Sequence, residues 1–454
     1  MTLLDVSIVN VALPSLQREL GASSTELSWV VSGYALTFGV VLVSSGRLGD
    51  DYGRKRMLLI ALALFTLTSA TAGLAPTALA LVIIRLLQGA AAGMLSPQVT
   101  GLIQQLFSGS ERGRAFGMFG ATVGVSTAIG PLLGGLLLEA GSTGSWRYIF
   151  WINVPIGLVA LVLGLRLLPR DETSGRRQPL DVVGSVLLGG AVVTLMLPLV
   201  FAEQGPASVP WWLFGVCALF LAGFVAWERR AIRTHGQPLV DFAMLRIRSY
   251  AFGSALIVLY FAGFTSIFFV LSIYFQQGKG YSALATGLVG TPFAVGSGAA
   301  SAVGGRLVPR FGRPLVVWGL VLVIVGLTAT VVVLLLDPAH VGWFTAAPLL
   351  VAGVGSGLVI APNQTLTLSE IPPAEGGTAA GVFQTGQRIG TAIGISAAGA
   401  VFFGQLAGSG GDYSTAVGIS LIVTLVFVAL ALVVGLVDVR LGRRGGGTAS
   451  GQGT

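Results

Sequence analysis

The 454-residue chain alternates between long apolar runs and short polar stretches. A bilayer's hydrocarbon core needs about 20 mostly apolar helical residues per crossing. On that measure the pattern predicts fourteen spans. The first six are Met1–Leu16, Leu27–Gly46, Met57–Leu74, Ala78–Phe107, Ala115–Leu138 and Tyr148–Leu168. Val182–Phe201 and Trp211–Trp227 follow. The last six are Tyr250–Gln276, Ala283–Leu307, Leu315–Leu336, Trp343–Leu368, Thr378–Leu406 and Ala416–Val437. The expected fold class is an all-α polytopic membrane protein.

Composition strengthens this reading. Length alone would suggest about three soluble domains of ~150 residues. Only 10% of the residues are charged and 54% are hydrophobic, too few charges to coat three globular surfaces. The net charge of +8 would suggest nucleic acid on a soluble chain. Here the basic residues sit in short loops between apolar runs, which points to membrane topology and to no nucleic-acid partner. The single Cys excludes a disulfide framework and a thiolate metal site. Cys217 lies in an apolar run and reads as packing.

Lys and Arg favour cytoplasmic loops. With the N-terminus taken as cytoplasmic, inward loops carry 21 of them, and outward loops carry Arg18, Arg147 and Lys279 alone. This split predicts a multi-pass protein of the cell membrane with both termini cytoplasmic. The first run is short: about fifteen residues precede Gln17-Arg18-Glu19, or ~22 Å of helix. The expectation is that the natural start lies upstream.

The sequence also repeats. Gly46-Arg47-Leu48-Gly49-Asp50-Asp51-Tyr52-Gly53-Arg54 aligns without gaps on Gly305-Arg306-Leu307-Val308-Pro309-Arg310-Phe311-Gly312-Arg313. Gly89 and Gly93 pair in the same sense with Gly353 and Gly357. Two homologous halves of six spans explain both echoes, a transporter architecture. The expected organisation is a six-helix bundle over 1–168, two inserted helices over 180–230, a second bundle over 248–440, and a disordered Gly-rich cytoplasmic tail over 441–454.

These motifs resemble the major facilitator superfamily, and within it the fourteen-span drug:proton antiporters, over nearly the whole chain. Gly46-x-Leu48-x-Asp50-x-x-Gly53-Arg54-Lys55 is similar to the superfamily's loop signature. Arg85-x-x-Gln88-Gly89 is similar to a second motif, and Gly124 through Gly130-Pro131-Leu132-Leu133-Gly134-Gly135 to the motif associated with antiporters. Leu4-Asp5-Val6-Ser7-Ile8-Val9-Asn10-Val11-Ala12-Leu13-Pro14 and Trp146-Arg147-Tyr148-Ile149-Phe150-Trp151-Ile152-Asn153-Val154-Pro155 resemble the fourteen-span group. Asp51 stands where an Arg is common, and Ser7 where Thr is common. The resemblance implies two six-helix bundles with two extra central helices, and proton-coupled efflux.

Asp5 is the one carboxylate placed within a predicted span. An ionised Asp at a span's centre costs roughly 2.5–3.5 kcal/mol, so it is the proton-coupling candidate. The alternative is a helix-start residue favoured by the helix dipole. Arg85 cannot lose its proton and must find partners within the bundle; Asp5 or a backbone carbonyl would serve, with Gln88 on the same helix face. It either assists proton release or links helices. Asp50 and Asp51 are placed just before the third span. With Gly46, Gly53 and Arg54 they read as a conformational latch, or with Lys55 and Arg56 as a topological anchor; Glu111, Arg112 and Arg114 are candidate partners. Gly124, Gly130, Gly134 and Gly135 suit close helix approach, and Gly130-Pro131 predicts an interrupted helix. Candidate cavity residues are Asn10, Tyr34, Gln88, Gln384 and Arg388. The loop residues His235 and His340 are poor relay candidates, and Glu203 reads as an interface residue.

The expected function is export of lipophilic small molecules, drugs or antibiotics, by alternating access in antiport with protons, by a bacterial protein functional as a monomer. The partners are substrate, protons and the lipid bilayer, with no cofactor and no enzymatic reaction. Alternatives are a dedicated exporter of one metabolite (an amino acid, a siderophore or a self-made natural product) and a non-transporting membrane sensor.

Overall fold

The computed structural model describes residues 1–139, 144–171, 181–202, 209–234, 238–409 and 411–447. They form α1 (Thr2–Leu20), α2 (Ser24–Tyr52), α3 (Arg54–Ala72), α4 (Ala78–Leu106), α5 (Gly109–Glu139), α6 (Tyr148–Trp151), α7 (Asn153–Leu167) and α8 (Val182–Ala202). Then come α9 (Trp212–Thr234), α10 (Arg248–Ile273), α11 (Ala283–Phe311), α12 (Arg313–Leu336), α13 (Val341–Phe344), α14 (Ala346–Thr367), α15 (Gly376–Gly408) and α16 (Tyr413–Gly447). Helix satisfies every backbone group within the segment, as a bilayer requires.

Among the described residues, twelve helical segments are long and apolar enough to cross a membrane. Neither α1 nor α11 is among them. The 19-residue α1 carries Asp5, Arg18 and Glu19. Glycine, serine and two prolines dilute α11. Twelve is therefore the number that length and composition support, against the fourteen expected. The predicted tail begins inside α16, which runs to Gly447; residues 448–454 lie outside the described residues, as do Glu203 and His235.

The repeat has a local structural cause. Gly53 has φ +101° and Gly312 has φ +54°, a region where only glycine is unstrained. Each ends one helix and lets the next begin at once, at Arg54 and Arg313. The second echo is packing. A methyl on Gly89 or Gly93 would strike the backbone at Tyr34 or Phe38 of α2. One on Gly353 or Gly357 would strike Phe293 or Ser297 of α11. Tyr34 and Phe293, like Phe38 and Ser297, stand at the same offset as the loop repeat, so α2–α4 and α11–α14 are equivalent pairs.

The chain forms two compact units. One comprises Met1–Leu106, Ser126–Asp241 and Pro372–Ile389, the other Phe107–Val125, Phe242–Ile371 and the chain from Gly390 on. In the first, α2 packs on α4 and α8, α3 on α4 and α7, and α8 on α9. In the second, α14 packs on α11 and α12, and α16 on α10 and α12. The units divide α5 and α15 rather than following the loops between sequence halves. The early glycines of α5 explain part of this division. Gly113, Gly117 and Gly124 bring its backbone against Gly298, Ser301 and Gly305 of α11, whereas Gly130 and Gly134 fit Ser7 and Ile8 of α1. The helix runs unbroken from Gly109 to Glu139, so Gly130-Pro131 does not end it. The side chain of Pro131 lies outside the described residues, and Gly135 is half-buried.

Candidate functional site

The first unit holds a buried polar cluster. Asp5, on the first turn of α1, is fully buried, as are Gln88, Asn153 and Ser69, and Arg85 is 1% exposed. The Arg85 guanidinium pairs with Asp5 at 2.5 Å. It also donates to Gln88 Oε1 at 2.8 Å and to Val30 O at 3.0 Å. Gln88 Nε2 donates to Asp5 Oδ1 at 3.1 Å, and Asn153 Nδ2 donates to the same oxygen at 2.9 Å. Both amides also reach Ser69 Oγ, at 3.0 and 3.1 Å, and Ser69 donates to Phe150 O at 3.1 Å. The Tyr34 ring lies 4.2 Å from the Arg85 guanidinium carbon. Two helices, α4 and α7, thus aim polar groups at the carboxylate carried by α1, with Ser69 of α3 behind the two amides, and the apolar cluster here includes Ile8, Val30, Ile149 and Phe150.

This arrangement can hold a buried charge. The guanidinium and two amide donors stabilise ionised Asp5. Asn153 Oδ1 is buried without a hydrogen-bond partner among the described residues, and such an orphan acceptor is rare. The sequence placed Asp5, Arg85 and Gln88 together; it quoted Asn153 without a role and missed Ser69. The missed signal was an amide just inside an apolar helix. Gln88 belongs to this cluster, and Asn10 is exposed on α1.

Asp50 and Asp51 lie at the C-terminal end of α2, not ahead of the third helix as expected, because α2 continues to Tyr52 before Gly53 turns the chain. The carboxylate that does serve the N-terminus of α3 is Asp171, which accepts from Lys55 N at 2.9 Å and Arg56 N at 3.0 Å. Distance in sequence hid it. Gly53 has no side chain to collide with Asp171. Asp50 serves a different helix start. It accepts from Gly377 N at 3.0 Å, Thr378 N at 2.8 Å and Thr378 Oγ1 at 2.9 Å, all on α15. Arg54 is 5% exposed. It clamps Asp50 at 2.5 Å, donates to Gly101 O at 2.9 Å, and reaches Pro373 O. Gly46 allows the contact, since a methyl there would strike Gly377 O. Asp51 pairs with Arg47 at 3.0 Å. Arg112 belongs to the second unit, where Nη2 donates to Ser369 O at 3.4 Å.

Where the repeat puts Pro309 opposite Asp50, the second unit supplies its acid from another helix. Asp438 on α16 accepts from Arg313, the counterpart of Arg54, at 2.9 Å and from Arg248 at 2.8 Å. A further carboxylate escaped the sequence reading. Glu228 falls one residue beyond a predicted span, yet it lies within α9, fully buried. Its Oε1 accepts from Leu239 N at 3.2 Å. Asp181 caps α8 through Gly184 N and holds Trp227 Nε1 at 2.9 and 3.0 Å. Of the remaining cavity candidates, Tyr34 and Gln384 are buried and Arg388 is half-buried, over the Phe38 ring at 4.2 Å. Among the described residues no group of His, Cys, Asp and Glu could hold a metal ion.

A bundle of membrane-length helices built as a repeat, with a charge pair buried in one unit, defines a helical membrane transporter. Residues 1–395 match the Major Facilitator Superfamily, and the chain belongs to that family. It is 35% identical over 416 residues to the probable actinorhodin transporter of Streptomyces coelicolor, covering 89% of this chain and 71% of that one. It is 35% identical to the puromycin resistance protein pur8 of Streptomyces alboniger, covering 91% and 82%. It is 33% identical to the multidrug resistance protein Stp of Mycobacterium tuberculosis, covering 88% and 73%. The proton:xylose symporter XylE shares the fold, with TM-score 0.66 at 16% identity, over 95% of this chain and 92% of that one. The human organic anion transporter MFSD10 likewise gives 0.66 at 16%, over 94% and 96%.

Proposed function

We propose that this chain exports lipophilic small molecules across a bacterial cell membrane, in exchange for protons, by alternating access. The observation that carries the reading is the buried Asp5–Arg85 pair with its orphan acceptor at Asn153. A proton arriving on Asp5 removes the negative charge that Arg85 needs. The pair then loosens, and the donors of Gln88 and Asn153 are freed to rearrange. A cycle can couple to this step, because each charge moved across the membrane carries ~2.3 kcal/mol per 100 mV. The actinorhodin transporter and the two resistance proteins among its relatives support export as the direction of transport.

In this reading α1 and α11 complete fourteen spans, with α6–α7 and α13–α14 each counted once and both termini cytoplasmic. Asp50, holding the first turn of α15, is the latch on the cytoplasmic side. It releases when the contact through Thr378 breaks. The glycine seams of α5 are the surfaces on which the helices rock.

The test uses inverted membrane vesicles with an established pH gradient, to which candidate drugs are added. Wild type is expected to dissipate the gradient with at least one compound, and Asp5→Asn to leave it intact. An equal response in both would make Asp5 structural. No response across a broad panel by folded protein would overturn the exporter reading.

A further inference from the structure

Two arginines lie within the apolar spans, and the structure treats them differently. Arg85 has Asp5. Arg388, twelve residues or ~18 Å into α15, has no ion pair and no hydrogen bond to any described residue; its neighbour is the Phe38 ring at 4.2 Å. A guanidinium does not give up its proton at any accessible pH. In the interior of a membrane protein such a charge faces a partner, a carbonyl or a watery cavity. A ring face alone contributes about 0.5–2 kcal/mol, too little to replace solvent or a carboxylate.

The surroundings point the same way. Gln384 stands one turn earlier on the same face of α15. It is 5% exposed; Nε2 donates to Thr100 Oγ1 at 3.1 Å, and Oε1 has no partner among the described residues. On α2, Tyr34 stands one turn before Phe38, with ring centroids 6.2 Å apart. Tyr34 is 3% exposed, its hydroxyl has no partner among the described residues, and its ring carries Arg85 on one side. Asp5 already balances Arg85, so Arg388 leaves this aromatic pair with one unbalanced positive charge. A cationic ligand would be repelled there. A flat anion would pair with the guanidinium fork in the two-point geometry that suits carboxylates, and its ring would lie against Phe38.

We propose that Arg388, with Phe38 and Gln384, binds the acidic group of an aromatic anionic substrate, a carboxylate or phenolate. The proposal rests on the exporter reading and narrows its substrate class.

The test is binding of fluorescein, an aromatic anion, to the purified full chain in detergent. Rhodamine 123, a cation of similar shape, is run beside it. Wild type is expected to bind fluorescein more tightly than rhodamine 123. Arg388→Gln should weaken fluorescein at least tenfold while Arg388→Lys retains most of it. Gln384→Glu, which puts a carboxylate one turn from Arg388, should compete internally and also abolish binding; it keeps the test decisive if Arg388→Gln fails to fold. Undiminished fluorescein binding in Arg388→Gln or in Gln384→Glu overturns the proposal, as does a wild-type preference for rhodamine 123. Vesicle uptake of the same dyes separates the two readings. Fluorescein binding with no export of any compound in the panel supports the anion site and removes the exporter. Export of rhodamine 123 with no fluorescein binding does the reverse.

Discussion

At the scale of single residues, one carboxylate holds three side chains, those of Arg85, Gln88 and Asn153. Removing one partner of a buried ion pair strands the other and costs about 3–5 kcal/mol. Asp5→Asn and Arg85→Leu are therefore each expected to lower the melting temperature in detergent, Asp5→Asn the more, because a lone buried carboxyl can take up a proton and a guanidinium cannot. The double variant should recover part of the loss, because no charge remains stranded. A double variant no more stable than Asp5→Asn would mean that Arg85 packs rather than pairs. The cluster was half legible in the sequence. Asp5, Arg85 and Gln88 stand out because charge and amide are expensive in apolar runs. Asn153 and Ser69 fill the remaining sites from two other helices, and no spacing rule ties residue 5 to residues 69 and 153. Asp171 at the start of α3 escaped for the same reason.

At the scale of elements, glycine decides which helices meet. Gly93 lets α4 lie on α2 at Phe38, and Gly357 lets α14 lie on α11 at Ser297. Small residues give such close approach in membranes, where lipid is as apolar as leucine and packing carries association. Leu at Gly93 or Gly357 is expected to cost about 1–3 kcal/mol through overpacking. Leu at Gly215 of α9, where nothing lies within 4 Å, should cost little. Thermal unfolding of the three variants checks this, and equal loss at all three would reject the seams. The pattern of these glycines was visible beforehand. That Gly113 to Gly124 face α11 while Gly130 and Gly134 face α1 was not, because a helix's small face does not name its neighbour.

At the scale of the whole molecule, the uneven spread of Lys and Arg predicts direction in the membrane. Cys217 is the single cysteine, so a Cys217→Ser background can carry one new thiol at a time. An impermeant maleimide added to intact cells is expected to label Lys279→Cys and to leave Arg114→Cys unlabelled until the cells are opened. The opposite pattern would invert the proposed topology, and with it the side on which Asp50 closes. Lys279 lies between α10 and α11 and Arg114 is exposed near the start of α5, so neither result depends on a folded extramembrane domain.

The sequence by itself determined that this chain is a helical membrane protein built as a repeat, because bilayer thickness and the scarcity of charge leave few other structures. It determined the turns at Gly53 and Gly312, because φ above zero selects glycine. Only the tertiary structure decided which acid meets which base. Asp50 serves α15 instead of α3, Asp171 serves α3, and Asp438 supplies Arg313 where Pro309 cannot. Helix ends and buried cations take the nearest available donor or acceptor in space, and that partner stands 100 or more residues away along the chain in each case.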